Sequence, residues 1–331
     1  MQVYMLPLEL DRYLTQFRRI FLVCGPSFRR SEAGARFAAL KDRAVFFSGF
    51  TPNPCYEDVM EGAALFRGSG CDLIAAGGGG SAIDTAKCIR HFAGARTPLL
   101  AIPTTAGSGS EATHFAVIYR QGVKQSVNCG LPDAVLLDPA LLDTLPDYQR
   151  KSTLLDALCH GVESCWSVRA TEESRAYALQ AVRQIMDSYA GYLRNDPKGN
   201  AGMLWAAHLA GKAINISQTT AGHAMCYQIT KTYGLAHGHA AALCVAKLWP
   251  YVLERRETAL LAAAMGCSTP REGAALFQTI LDSLSLEPPA CTEEELNRLT
   301  ASVNPERLGN FPVALGAEDI RTLYQTIFSV K

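Results

Sequence analysis

Short apolar runs alternate with amphipathic stretches over roughly the first 140 residues of the chain. Four of these runs are bounded by glycine, proline or polar turn residues, and we interpret them as buried parallel strands: 20–24, 44–47, 73–76 and 99–103. The stretches between them, such as 56–69, have the apolar spacing of amphipathic helices. This alternation of strand and helix predicts a doubly wound α/β sheet.

The pattern changes near residue 147. From residue 148 onward the chain is periodic and rich in alanine, as in 174–193 and 202–216, and strand-like runs almost disappear. A chain of 331 residues also exceeds the size that one hydrophobic core usually supports. We therefore predict two domains, an α/β domain over 1–147 and an all-helical domain over 148–331.

The composition excludes several classes of protein. Thirty-one basic residues balance 31 acidic ones, so a bulk attraction to nucleic acid or to an anionic membrane is not expected. Eleven cysteines without a CxxC pair are typical of a reducing compartment. The acidic start MQVYMLPLELDRYL does not fit a signal peptide, and no apolar stretch approaches the roughly 20 residues that span a bilayer. We expect a cytoplasmic protein that binds neither nucleic acid nor membrane.

A glycine-rich loop follows the third predicted strand, in the sequence LIAAGGGGSAIDTAK over 73–87. Glycines let a backbone approach a ligand closely, and the helix expected to begin at Ser81 presents its N–H groups to an anion such as pyrophosphate. Four glycines alone also fit an ordinary tight turn, because the pattern is not GxGxxG. The strand before the loop and the helix after it favour the nucleotide-binding interpretation.

A second polar loop, IPTTAGSGSEAT over 102–113, follows the next predicted strand. An ordinary serine- and glycine-rich surface loop would have the same composition. However, open α/β sheets bind ligands at the carboxyl ends of their strands, and the two strands before these loops should be neighbours. We therefore expect the two loops to form one binding site.

Four residues in the helical part have the chemistry of metal ligands. Asp156 and His160 are four residues apart, so a helix brings both side chains to one face. His223 and His237 supply two further imidazoles from what should be neighbouring helices. One oxygen and three nitrogen donors suit a divalent first-row metal with space for a substrate. Taken singly, each residue also fits a surface pair or turn chemistry.

Together these segments form an ordered series of motifs, and by that series the chain resembles the iron-containing (group III) alcohol dehydrogenase family over essentially its whole length. The motifs are GGGSxxDxAK at 78–87, IPTTAGxGSE at 102–111, PNP at 52–54, DP at 138–139, DALxHxxE at 156–163, and H-x13-H at 223–237. The resemblance implies a Rossmann-like N-terminal domain that binds a dinucleotide and an all-helical C-terminal domain. This is the fold shared with dehydroquinate synthases, and the active site is expected in the cleft between the domains.

The resemblance also implies an activity: hydride transfer between a nicotinamide cofactor and the carbon of a small alcohol or aldehyde, in a homodimer that holds Fe²⁺, or Zn²⁺ or Mn²⁺ in its place. The implied metal ligands are Asp156, His160, His223 and His237. The implied pyrophosphate contacts are Gly79, Gly80, Ser81 and Asp84. The remaining cofactor contacts are Thr104, Thr105 and Ser110 on the nicotinamide side, and Asn53 and Lys124 near the ribose.

Two positions depart from the pattern of many relatives. NAD-preferring members often carry an Asp after the first strand to hold the adenosine ribose, where this chain has Gly25. Losing that carboxylate removes repulsion against a 2′-phosphate, which Ser27, Arg29 and Arg30 could receive, so we favour NADP(H) over NAD(H). The alternative is that both arginines are solvated surface charges.

The second departure concerns proton transfer. Many relatives have another histidine four residues after the third ligand, where this chain has Tyr227. A phenol can donate a proton, but its unperturbed pKa of about 10 suits the task less well than that of an imidazole. His239 is another candidate for the catalytic proton donor, and the nicotinamide ribose or water could also supply the proton.

The amino-acid sequence around the implied ligands resembles one branch of the family, whose members are described as phosphonoacetaldehyde reductases. An anionic aldehyde needs a pocket with positive charge or hydrogen-bond donors. The candidate residues are Lys151, Asn215, Gln218, Thr219 and Thr220. These polar residues could equally satisfy buried helix ends. Reduction of sulfoacetaldehyde or lactaldehyde is the alternative within the family. A dehydroquinate-synthase-like lyase would need a row of basic residues that we do not find in the sequence.

Overall fold

The computed structural model describes residues 2–328. Contacts within the chain divide it into two compact units, Met1–Leu145 and Pro146–Lys331. The predicted domain boundary lies after residue 147, whereas the division into units lies after Leu145 and the first helix of the second unit begins at Asp147.

The first unit is built on a parallel sheet of six strands in the order β1-β8-β5-β4-β2-β3. Its strands are β1 Val3–Met5, β2 Ile20–Cys24, β3 Ala44–Phe47, β4 Leu73–Gly78, β5 Leu99–Pro103 and β8 Ala134–Leu136. An antiparallel hairpin of β6 Phe115–Arg120 and β7 Val123–Asn128 forms a separate two-stranded sheet. The strand order reverses between β2 and β4, which is the point where open α/β sheets bind ligands.

The four strands predicted from the apolar runs are all present, which confirms the predicted parallel sheet. Sequence reasoning missed β1 and β8, because three residues are too few to show a period. It also missed the hairpin, whose second strand VKQSVN is exposed or half-buried and carries no apolar run.

The sheet is buried on both faces, which explains the continuous apolar runs. Leu22 and Cys24 point into one core with Phe28 and Phe37, while Phe21 and Val23 point into the other. The helices of this unit that cover the sheet and its edges are α1 Leu10–Leu14, α2 Pro26–Arg29, α3 Glu32–Ala38, α4 Tyr56–Ser69 and α5 Gly80–Phe92.

The second unit consists of helices, as predicted. They are α6 Asp147–Trp166, α7 Glu172–Leu193, α8 Pro197–Ser217, α9 Ala221–Tyr233, α10 His237–Leu248, α11 Arg256–Ala264, α12 Pro270–Ser283, α13 Glu293–Ala301, α14 Pro305–Leu308 and α15 Ala317–Ile327. Helix α6 packs against α7, α8 and α10, and α9 packs against α10. From Leu154 to Trp166 α6 is buried on every side, so its polar residues there face other helices and not solvent.

Within residues 2–328, no helix combines the length with the apolar character that crossing a membrane requires.

Candidate metal centre and cofactor loops

The two polar loops of the first unit leave the same edge of the sheet. Strands β4 and β5 are parallel neighbours, and Gly78 at the end of β4 pairs with Pro103 at the end of β5. The N–H of Thr104 donates to the carbonyl of Gly78 at 3.0 Å, so the loops are joined where they begin. The expected adjacency of the two strands is confirmed.

Helix α5 starts directly in the glycine loop. Its N-cap is Gly79, which has no side chain to accept from the N–H groups of the first turn. A Cβ at Gly80 would lie 2.9 Å from the Ser108 hydroxyl oxygen, so the second loop packs directly on this helix end. An uncapped helix N-terminus behind a parallel strand has the geometry that proteins use for phosphate groups.

A buried lysine holds the two loops together. Lys87 is fully buried, and its Nζ donates to Ser110 Oγ at 3.1 Å, Thr113 Oγ1 at 3.0 Å and the carbonyl oxygen of Phe115 at 2.8 Å. Burial lowers the pKa of Lys87, but the carboxylate of Asp84 lies 3.4 Å from Nζ and opposes that effect. Sequence reasoning missed Lys87, although it is the last residue of the GGGSxxDxAK motif and lies one turn from Asp84.

Two predicted cofactor residues belong to this network. The carboxylate of Asp84 accepts hydrogen bonds from the Ser110 hydroxyl and, at 2.9 Å, from the N–H of Val117. Asp84 and Ser110 therefore connect the glycine loop to the second loop and to β6. In this arrangement their side chains hold the shape of the loops.

The predicted ribose contacts gather beside the glycine loop. The Ser81 hydroxyl donates to the carbonyl of Pro52, which brings the exposed turn containing Asn53 to the start of α5. Lys124 pairs with Tyr119 across the hairpin, and the Tyr119 N–H donates to the carbonyl of Pro54 at 2.8 Å. Asn53 and Lys124 thus lie on connected segments.

Gly25 and Ser27 lie after β2, next to the glycine loop, because Cys24 pairs with Gly77. Gly25 is the N-cap of α2 with φ −84° and ψ 173°, a conformation that any residue adopts. A Cβ built there meets no atom within 4 Å. Ser27 is exposed, as is Arg29, whose guanidinium stacks over the Phe46 ring at 4.4 Å.

In the second unit the predicted ligands come together from three helices. Asp156 and His160 lie on α6, His223 in the first turn of α9, and His237 is the first residue of α10. Ligand atoms of Asp156, His223 and His237 all lie within 4.8 Å of one another. His160 Nε2 lies 3.8 Å from Asp156 Oδ1, and its ring stacks on that of His223 with centroids 4.7 Å apart.

The cluster has the unsatisfied atoms that a cation would complete. Asp156 Oδ1 and His223 Nε2 are buried, lie 3.5 Å apart and have no hydrogen-bond partner. Buried polar atoms are rarely left unpaired in proteins, and one divalent cation would satisfy both. The residues present therefore fit a metal ion.

Glu163 orients the cluster from behind. Its side chain is fully buried, one oxygen is hydrogen-bonded to His223 Nδ1, and the other accepts from Thr220 Oγ1 at 2.6 Å and from the Thr220 N–H at 3.0 Å. A carboxylate on Nδ1 fixes the tautomer that leaves Nε2 as a metal-binding nitrogen. Burial opposes a charge on His223, but Glu163 and Asp156 raise its pKa to about 9 in the absence of metal.

Sequence reasoning included Glu163 in a motif but assigned it no role. The available signal was spacing, because Glu163 follows His160 by three residues and Asp156 by seven, which places all three on one helix face. Its role depends on the position of His223, which only the packing of α9 reveals.

Gly238 makes the approach of α10 to α6 possible. A Cβ there would lie 2.0 Å from the Ser152 carbonyl oxygen and 2.6 Å from the Asp156 Cβ. The residue after His237 must therefore be glycine if His237 is to reach Asp156.

The two candidate proton donors differ in their surroundings. The Tyr227 ring stacks on His237 with centroids 5.6 Å apart and planes 5° apart, and burial raises the pKa of its phenol. His239 is buried, its Nδ1 lies 3.3 Å from the Tyr148 hydroxyl, and burial lowers its pKa. Tyr227 is thus the one that contacts a predicted ligand.

The residues predicted as donors for an anionic substrate have mixed roles. Thr220 serves Glu163 and also accepts from Trp166 Nε1 at 3.0 Å, so it satisfies buried groups. Lys151 pairs with Asp147 at 2.8 Å, which is one turn away on α6. Asn215 lies in the last turn of α8 and is half-buried, as is Gln218 just beyond it. Thr219 is buried and accepts from an arginine, Arg307, at 3.0 Å.

Two family models match the chain. The model described as iron-containing alcohol dehydrogenase matches residues 7–139, and the model for the C-terminal part of the Fe-containing alcohol dehydrogenase family matches residues 151–325.

Among curated proteins, the chain is 31% identical over 299 residues to a phosphonoacetaldehyde reductase of Streptomyces viridochromogenes, covering 81% of this chain and 73% of that protein. It is 33% identical over 231 residues to a 1,3-propanediol dehydrogenase of Klebsiella pneumoniae, covering 63% of this chain and 60% of that protein. The chain thus spans about three fifths to three quarters of these relatives.

Among solved structures, a sulfoacetaldehyde reductase from Bifidobacterium kashiwanohense in complex with NAD⁺ superposes with a TM-score of 0.90. The match covers 99% of this chain and 97% of that chain at 23% sequence identity. The likeness establishes the fold.

Substituting Gly238 by Ala should weaken metal binding by at least about tenfold, because the new methyl group pushes α10 away from α6 and moves His237 from Asp156. Calorimetric titration of the metal-free protein with Zn²⁺ measures this. The matched control is Gly68→Ala on α4, where a Cβ meets no atom within 4 Å, and its affinity should equal that of the wild type. Equal affinity in all three proteins would mean that His237 is not a ligand.

Proposed function

The chain belongs to the iron-containing alcohol dehydrogenase family, and from that premise we propose that it reduces a short aldehyde to an alcohol. The observation that carries the proposal is the buried pair Asp156 Oδ1 and His223 Nε2, which lie 3.5 Å apart without hydrogen-bond partners, with a ligand atom of His237 within 4.8 Å of both residues' ligand atoms. Asp156, His160, His223 and His237 would hold the metal ion.

The donor set supports Fe²⁺ as the metal, with Zn²⁺ or Mn²⁺ as alternatives. One carboxylate and three imidazoles suit all three ions. The proposed ligands include no thiolate, which would favour a softer metal ion. Geometry and availability together select among such ions in the cell.

The chemistry divides between the bound groups and the protein. When bound, a divalent metal polarises a carbonyl oxygen as a Lewis acid, and a reduced nicotinamide supplies the hydride. Glu163 keeps His223 in one tautomer and one orientation, so the ligand face needs no rearrangement during reaction. Gly79, Gly80, Thr104 and Thr105 line the joined loops at the sheet edge, where they would position the pyrophosphate and the nicotinamide.

We propose that the phenol of Tyr227 donates the proton that completes the alcohol product, since the Tyr227 ring stacks on His237. His239 remains the alternative, and its contact with Tyr148 would let it accept or pass on a proton at Nδ1. The proposed reaction consumes one hydride and one proton per aldehyde, so one such donor suffices.

The substrate class that we favour is a short anionic aldehyde such as phosphonoacetaldehyde. The relative described as a phosphonoacetaldehyde reductase supports this choice, because it is 31% identical over 81% of the chain. Sulfoacetaldehyde or lactaldehyde is the alternative within the family. A dehydroquinate-synthase-like lyase is disfavoured, since both family models are alcohol dehydrogenase models. We further propose that the chain works as a homodimer in the cytoplasm.

For the cofactor we propose a preference for NADP(H) over NAD(H). Membership of the family supports NAD(H) binding in general. The space at Gly25 carries this proposal, because no side chain occupies the position from which an acidic residue would repel a 2′-phosphate. Ser27, Arg29 and Arg30 are exposed on the segment that follows.

The direct test of the activity is the oxidation of NADPH and NADH by metal-loaded enzyme with phosphonoacetaldehyde, sulfoacetaldehyde and lactaldehyde. Phosphonoacetaldehyde should give the highest kcat/KM. His223→Ala should reduce turnover to below about 1% of wild type because a ligand is lost, while NADPH binding followed by fluorescence is kept. His91→Ala, which changes an exposed histidine of α5, serves as the control. Normal turnover in His223→Ala would refute the proposed metal site.

Cofactor preference should reverse when a carboxylate is placed at residue 25. Gly25→Asp should lower the ratio of kcat/KM for NADPH to that for NADH by at least about tenfold, because the charge repels the 2′-phosphate. Gly25→Asn is the matched control, since it has nearly the same shape without the charge. An equal change in both variants, or none in either, would contradict the proposed role of this position.

A further inference from the structure

Arg307, on the short helix α14, is a cation without an anionic partner in the part of the chain that the structure describes. It is half-buried, and its Nη1 donates to a neutral acceptor, Thr219 Oγ1, at 3.0 Å. Among residues 2–328, no carboxylate lies within ion-pair distance of its guanidinium. The neighbouring arginine of the same region, Arg169, differs because it lies 3.7 Å from Glu306 and donates to Gln218.

A short chain of contacts joins Arg307 to the candidate metal centre. Thr219, which accepts from Arg307, lies near the phenol of Tyr227, where the Thr219 hydroxyl and the Arg307 charge both oppose the rise that burial causes in the pKa of that phenol. The Tyr227 ring in turn stacks on His237. Helix α14 packs on α9, which carries both Tyr227 and His223. The guanidinium of Arg307 thus belongs to a helix that packs on the same α9 that carries the cluster's tyrosine.

The loop between α8 and α9 is held in an unfavourable backbone conformation at this place. Gln218 has φ 59° and ψ 174°, a region that residues other than glycine rarely adopt. Asn310 Nδ2 holds the loop from one side by donating to the carbonyls of Ser217 and Thr219, each at 2.9 Å. Thr220 holds it from the other through Glu163. Strain of this kind persists where the surrounding contacts over-determine a functional geometry.

We propose that Arg307 binds the anionic group of the substrate and so determines specificity for phosphonate- or sulfonate-bearing aldehydes. The inference rests on the proposed aldehyde reduction and names the residue that selects its substrate class. A guanidinium has five N–H donors in a planar fork, and the contact with Thr219 uses one of them. The others can bind two oxygens of a tetrahedral anion, which a neutral aldehyde lacks.

The test compares wild type, Arg307→Gln and Arg307→Lys with phosphonoacetaldehyde, sulfoacetaldehyde and the neutral aldehyde propanal. Arg307→Gln should raise KM about 10- to 100-fold for the two anionic aldehydes, with a smaller change in kcat, and should leave KM for propanal within about twofold. Arg307→Lys should restore part of the affinity, since it keeps the charge without the fork. A larger rise in KM for phosphonoacetaldehyde than for sulfoacetaldehyde would show that the site prefers the phosphonate, and the reverse would show that it prefers the sulfonate.

Arg169→Gln is the matched control, because Arg169 contacts the same loop but has its own carboxylate partner. It should not change the ratio of anionic to neutral aldehyde reduction. An equal shift of that ratio in Arg169→Gln, or an equal loss for propanal in Arg307→Gln, would overturn the assignment. Thermal unfolding of each variant separates loss of the fold from loss of recognition.

A binding measurement separates the failure of this inference from that of the proposed function. Calorimetry with ethylphosphonate should show about 10- to 100-fold weaker binding to Arg307→Gln than to wild type. That result without aldehyde reduction would reject the proposed function and keep the anion site. Aldehyde reduction by the wild type, combined with equal ethylphosphonate binding in wild type and Arg307→Gln, would keep the proposed function and reject the anion site.

Discussion

The carboxylate of Glu163 lies in the interior of the helical unit. One of its oxygens is hydrogen-bonded to His223 Nδ1, and the other accepts hydrogen bonds from the hydroxyl and the N–H of Thr220. A buried charge of this kind is stable only when hydrogen bonds and an opposite charge surround it, so removing a partner would be costly. The same contact aims His223 Nε2 at Asp156 and ties down the start of α9 and the strained loop before it. The candidate metal centre and the candidate anion site would both depend on this one carboxylate.

The first unit uses the same physical device with the opposite charge. Lys87 is fully buried, and its ammonium joins Asp84, Ser110 and Thr113, which belong to α5 and to the second loop. Neither Glu163 nor Lys87 is assigned a contact with cofactor, metal or substrate. Each instead fixes the groups that would make those contacts, so the reacting groups need little reorganisation during turnover.

The sequence predicted the elements whose pattern is local. The runs at 20–24 and 99–103 are strands because both faces of the sheet are buried there, and the all-helical second part follows from its long periodic segments. Strand β1 escaped because it has only three residues. Among site residues, the face shared by Asp156 and His160 follows from spacing alone. The proposed role of Arg307 could not be predicted from the sequence, because it depends on the lack of a neighbouring carboxylate among residues 2–328 and on a loop nearly ninety residues earlier in the chain.

The most direct measurement is anomalous diffraction from crystals of the chain loaded with iron or zinc, recorded at the absorption edge of the metal. One carboxylate and three imidazoles that converge on a cation predict a single strong peak about 2.0–2.3 Å from Asp156, His160, His223 and His237. Glu163 should remain on His223 Nδ1 and make no bond to the metal. A peak bound elsewhere, or one whose ligands omit Asp156 and His223, would contradict the proposed metal centre and the function built on it.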